Sequence, residues 1–103
     1  MNPSIREQIR FVLADDNELM RAALDGDWGD ENKQMNRQLI RQHEAILAKL
    51  DAGAGLTQLD LQLVRDANEI HLNDEANLNG QHKEAVELEE WLAELCGNRL
   101  SRP

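Results

Sequence analysis

The chain has 103 residues, the size of one domain, and carries 20 acidic against 11 basic side chains, a formal net charge of −9. This excess disfavours direct nucleic-acid binding and docking on anionic membranes, because both depend mainly on Lys and Arg. The single cysteine excludes an intramolecular disulfide and a zinc–thiolate cage, and it fits a reducing cytoplasm. No apolar run has the length of a membrane span or a signal peptide, so we expect a cytoplasmic protein.

The composition favours helices throughout. Proline occurs only at Pro3 and Pro103, and no stretch alternates apolar and polar residues over six positions, as a half-buried strand would. We predict a single all-α domain over residues 1–103, an antiparallel bundle of four helices joined by short loops. The helices are expected at about residues 4–24, 31–52, 57–78 and 81–96, with a frayed tail at residues 98–103.

The first helix begins with a capping box of Ser4 and Glu7, and Asn2 followed by Pro3 is a competing start. Its apolar residues recur on one face at helical spacing, and Phe11 lies off that face. The loop at residues 25–31 is acidic and contains Trp28. We expect the second helix to follow directly after this loop.

The boundary between the second and third helices is the clearest in the sequence. Gly53 or Gly55 ends the second helix, and Thr57 is a good N-cap for the third. Leu56 and Leu61 occupy the two positions of a hydrophobic staple around this cap. The sequence therefore predicts a short, well-defined loop here.

The fourth helix separates apolar from acidic residues. Glu87, Glu90 and Glu94 line one side, opposite an apolar face that includes Trp91. Residues 32–50 of the second helix, by contrast, include four basic residues against one glutamate. In one interpretation, neighbouring helices of opposite charge simply pair with each other. In the other, the acidic outer surface of the fourth helix engages a basic protein, with carboxylates in place of nucleic-acid phosphates.

We expect no catalysis, no cofactor and no metal site. The acidic loop lacks both the glycine and the terminal glutamate that a calcium-binding loop requires. The histidines, which are His43, His71 and His82, fall at different levels of the predicted bundle, whereas a transition-metal site needs ligands that converge. Cys96 lies at the C-terminus of a helix, where the dipole disfavours a thiolate.

Asp16 falls in the middle of the apolar face of the first helix. Because the first two helices are expected to be antiparallel, Asp16 comes level with residue 40, within one turn of His43. One interpretation is an inward Asp16–His43 pair that fixes the register of the bundle. The other is that residues 15–17 break or kink the helix and Asp16 reaches water.

The inward face of the third helix turns polar at its end, where His71, Asp74 and Asn77 replace leucines. Antiparallel packing would bring His71 level with Arg37 of the second helix. In one interpretation the helix simply leaves the core here. In another this end is a recognition surface with an aromatic anchor, and in a third it is a metal or small-ligand site around His71 and Asp74.

The sequence thus predicts a small acidic helical protein that acts as an interaction or regulatory module for another protein, with homodimerisation as an addition. The alternative is an acidic nucleic-acid mimic that inhibits a DNA-binding protein. Direct nucleic-acid binding and membrane binding are not expected. The candidate interaction surface comprises Phe11, Trp28, His71, Asp74, Glu75, Glu87, Glu90 and Glu94.

Overall fold

The computed structural model describes residues 2–24, 26, 29–73 and 81–97. These residues form four helices. They are α1 (Pro3–Leu24), α2 (Asp30–Ala52), α3 (Gln58–Asn73) and α4 (Gln81–Cys96). The prediction of an all-α four-helix bundle is confirmed. Several predictions fall outside the described residues: the extension of the third helix to residue 78, Trp28, Asp74, Glu75 and the tail.

Helix α1 is the centre of the bundle, because it packs against each of the other three helices. Helix α2 packs mainly on α1, and α3 packs mainly on α4, so the bundle consists of two helical hairpins joined through α1. The shared core is aliphatic and comprises Ile5, Ile9, Val12, Leu13, Ile46, Leu50, Leu61, Val64, Ala67, Leu88 and Leu92. Burial of this surface is the main favourable contribution to folding.

The ends of the helices are set by specific caps. Helix α1 starts at Pro3, because Oδ1 of Asn2 accepts a hydrogen bond from the backbone N–H of Ser4 at 2.8 Å. The competing start is therefore the one that forms. Helix α2 ends at Gly53, whose φ of 71° places it in the left-handed region that favours glycine.

The predicted cap of α3 has an additional partner from α2. Oγ1 of Thr57 accepts a hydrogen bond from the N–H of Asp60, and Oδ2 of Asp60 accepts one from the N–H of Thr57. Nζ of Lys49 also lies 2.6 Å from Oδ2 of Asp60. Burial acts to raise the pKa of Asp60, but the hydrogen bonds from Lys49 and Thr57 outweigh it and hold that pKa below its ordinary value.

A buried arginine joins α3 to α4. The side chain of Arg65 is only 1% exposed, and its guanidinium lies 2.6 Å from Oε1 of Glu89. Its NH1 group also donates to the carbonyl oxygen of Gly97, 2.7 Å away, immediately after the end of α4. A buried charge of this kind is tolerated only when it is paired and hydrogen-bonded, and Arg65 has both kinds of partner.

The basic helix α2 does not face the acidic helix α4. It meets α3 only weakly, and the ion pair between Lys49 and Asp60 lies at this contact, near the connecting loop. Within the described part of the chain, Arg37 and Arg41 of α2 make no ion pair. Opposite charges therefore pair at individual positions, but the acidic side of α4 is not neutralised by α2.

We predict that Arg65→Ala lowers the free energy of unfolding by about 3 kcal/mol or more, because it leaves Glu89 and the Gly97 carbonyl without their buried partner. Urea denaturation measures this change. Arg10→Ala is the matched control, because Arg10 makes its ion pair with Asp51 at the surface, and we expect a loss below about 1 kcal/mol. Equal losses for the two variants would contradict the assigned role of Arg65.

Candidate interaction site

Three glutamates form a row along the outer side of α4. Glu87, Glu90 and Glu94 are all exposed, and we call this row the acidic ridge. Among the residues that the structure describes, none of the three has an ion-pair partner. The ridge therefore presents three uncompensated carboxylates on one face of the bundle.

A groove of about 520 Å³ lies at the end of the bundle where α2 connects to α3. Its apolar wall includes Leu50, Leu56, Leu61, Trp91 and Leu95, and the rest of the lining is Arg6, Gln58 and residues 53–55. Leu95 is 46% exposed and Trp91 is half-buried, so apolar surface remains open to a partner. We call this feature the α4 groove.

The acidic ridge and the α4 groove are adjacent. Trp91 follows Glu87 by four residues and precedes Glu94 by three, and residues at these spacings are neighbours on a helix surface. An indole ring in an apolar groove is thus bordered by two carboxylates. The apolar periodicity predicts Trp91 on the inner face of the helix. In the structure Trp91 lies at the edge of that face, beside the loop between α2 and α3.

Phe11 and His71, which the sequence proposed separately, are in contact. Their ring centroids are 5.2 Å apart with the planes tilted by 57°. Nε2 of His71 also lies 3.5 Å from Oδ2 of Asp15. His71 therefore packs against α1, through Phe11 and Asp15.

The inward polar contact between α1 and α2 is made by Asn17. Nδ1 of the buried His43 donates to Oδ1 of Asn17 at 2.8 Å, and both side chains are buried. Asp16 is half-buried beside them. Helix α1 runs without a break through residues 15–17, so the interpretation in which the helix breaks there is not what the structure shows.

Burial shifts the pKa of His43 and that of the neighbouring Asp16. It lowers the pKa of His43, and the charge of Asp16 opposes that shift only in part. It also raises the pKa of Asp16, against the opposing effects of His43 and His71. His43 is therefore favoured in its neutral form, as expected for an imidazole held in the core by one hydrogen bond.

Within the described ranges, no three His, Cys, Asp or Glu side chains are grouped so that they can hold a metal ion. Cys96 is a free thiol, half-buried against the core. None of the four described helices combines the length and the apolarity needed to cross a membrane. The acidic ridge and the α4 groove together form the candidate interaction site.

We predict that the contribution of His43 to the stability of the fold decreases as the pH falls below 6.5. The physical reason is that unfolded His43 takes up a proton near its ordinary pKa of 6.5, whereas folded His43 does so only at lower pH. Thermal denaturation between pH 5.5 and 7.5 measures the effect. His43→Gln should flatten this profile, whereas Asp16→Asn should retain it, since the lost charge of Asp16 favoured protonated His43. A His43→Gln profile that superimposes on that of the wild type would contradict this account.

Comparisons with protein-family models, with curated proteins and with solved structures each give no match to this chain.

Proposed function

We propose that this protein is a small, non-catalytic interaction module that binds a segment of another protein along α4. The segment would place apolar side chains in the α4 groove and Lys or Arg side chains against the acidic ridge. The observation that carries this proposal is the position of Trp91, which lines the groove between Glu87 and Glu94.

The two parts of the site contribute in different ways. Half-exposed Trp and Leu side chains at the centre of an interface supply most of the binding free energy when a partner covers them. Exposed carboxylates at the rim add less affinity, but they raise the association rate and select partners of opposite charge. A basic, amphipathic segment satisfies both parts of the surface.

The charge of the ridge favours a different protein over a second copy of this chain. Two copies that met through α4 with their ridges facing would place glutamates against glutamates, and like charges brought together at an interface cost several kcal/mol in general. Homodimerisation through this face is therefore the weaker proposal. Sedimentation of the free protein at high and low salt separates the two cases.

The nucleic-acid mimic stays as a second candidate on one specific observation. The ridge carboxylates share one face and do not pair with the basic residues of α2. A mimic of the phosphate backbone, however, makes no use of an apolar groove beside its charges. The half-exposed Trp91 and Leu95 therefore favour recognition of an apolar and basic segment.

We predict that selection from a random displayed peptide library enriches sequences that combine Leu, Ile or Phe with Lys or Arg. Leu95→Ser should weaken the enriched peptides at least tenfold, because burying a leucine side chain is worth about 1.5–3 kcal/mol. Leu59→Ser is the matched control, since Leu59 is 63% exposed on α3 and does not line the α4 groove. Isothermal titration calorimetry measures the affinities.

A pair of charge variants tests the ridge in the same titrations. Glu87→Gln with Glu94→Gln should weaken binding up to about tenfold, with a smaller effect at high salt. Glu18→Gln with Glu31→Gln removes the same charge from exposed positions of α1 and α2 and should leave the affinity within twofold. Peptides that lose equal affinity with Leu59→Ser and Leu95→Ser, or that are acidic, would overturn the proposal.

A further inference from the structure

A second cleft lies between α1 and the first turn of α4, separate from the α4 groove. Its volume is about 500 Å³, and it is lined by Pro3, Ser4, Glu7, Gln8, Phe11 and Glu84. We call it the α1–α4 cleft. It contains two carboxylates, one amide, one hydroxyl and one aromatic ring.

Two polar atoms of this cleft are buried without a hydrogen-bond partner. Gln8 is only 4% exposed, and its Nε2 donates to no described group. Oε2 of Glu84 likewise accepts from none. An unsatisfied buried polar group costs about 1–3 kcal/mol. A ligand that supplies an acceptor to Nε2 of Gln8 and a donor to Oε2 of Glu84, as these side chains turn toward the cleft, therefore offsets two such costs.

We propose that the α1–α4 cleft binds the arginine side chain of a partner protein, a subsite that rests on and extends the proposed interaction function. The guanidinium donates to the carboxylate of Glu84, and the backbone carbonyl of the same arginine accepts from Nε2 of Gln8. The exposed part of the Phe11 ring supplies a cation–π surface. Arginine fits better than lysine because its planar, weakly hydrated group matches a carboxylate beside a ring.

The cleft and the α4 groove lie on the same side of α4. Glu84 and Trp91 are seven residues apart, which is two helical turns and about 10 Å along the axis. One extended or helical segment can therefore place an arginine in the cleft and an apolar side chain in the groove. The inference thus specifies both the residue types of the partner segment and their approximate spacing.

The probe for the test is N-acetyl-L-arginine amide, which has the guanidinium and a peptide carbonyl but no charged termini. We expect saturable NMR shifts of the Gln8 side-chain amide and of the Phe11 ring in the full chain. N-acetyl-L-citrulline amide, which replaces the guanidinium by a neutral urea, should bind at least fivefold more weakly. Absence of saturable shifts, or equal binding of the two compounds, would overturn the proposal and leave the cleft to water alone.

Variants then assign the binding to the cleft. Glu84→Gln should weaken the arginine probe at least fivefold, whereas Glu18→Gln, which removes the same charge from an exposed position of α1 outside both the cleft and the acidic ridge, should change its affinity by less than twofold. Equal effects of the two substitutions would mean that only the general negative field attracts the probe, and would contradict the assigned site. Circular dichroism confirms that both variants are folded.

The outcome is separable from that of the proposed function. Leu95→Ser alters the α4 groove and should bind the arginine probe as the wild type does. If peptide selection fails while the probe binds in the cleft, the interaction through the groove is wrong and the arginine site remains. If selection succeeds while the probe fails, the groove is confirmed and the arginine subsite is wrong.

Discussion

A buried guanidinium on α3 determines how α4 is presented to its surroundings. Arg65 pairs with Glu89 near the middle of α4 and donates to the carbonyl of Gly97 just past its end. Two attachments at separate heights fix the rotation of a helix about its axis. Because Glu89 and Trp91 are two residues apart, their side chains point about 160° away from each other. Holding Glu89 toward α3 therefore sets the rotation of α4 at which Trp91 lies at the edge of the core face and the acidic ridge faces outward.

The same arrangement explains how the net charge of −9 is distributed. Several acidic side chains form ion pairs within the fold: Asp51 with Arg10, Asp60 with Lys49 and Glu89 with Arg65. The carboxylates of the acidic ridge have no such partner among the described residues. Part of the excess charge thus lies uncompensated on the outer side of α4, where it attracts a basic partner.

The sequence predicted the four helices well because caps and apolar periodicity are local signals. The predicted register between the first two helices was also close. The sequence placed His43 near Asp16, and in the structure His43 contacts Asn17, the residue after Asp16. Reasoning by antiparallel pairs of consecutive helices did not predict the contact of His71 with α1, because α1 and α3 are neighbours in space and not in the chain. The pairing of Arg65 could not be predicted from the sequence, because its partners lie on α4 and at the residue after it. No sequence pattern marks an inward arginine as paired. The α4 groove could not be predicted either, because it forms only where the loop between α2 and α3 lies beside Trp91.

Chemical-shift mapping of the ¹⁵N-labelled protein, saturated with a peptide enriched by selection, tests the central claim most directly. The account predicts that the largest changes occur at the Trp91 indole N–H, at Leu56 and along α4 from Glu87 to Leu95. The chain also exposes Met35 beside the half-buried Leu39 on α2, which form a rival apolar surface. Largest changes around Met35, with α4 unaffected, would contradict recognition through the α4 groove and the acidic ridge.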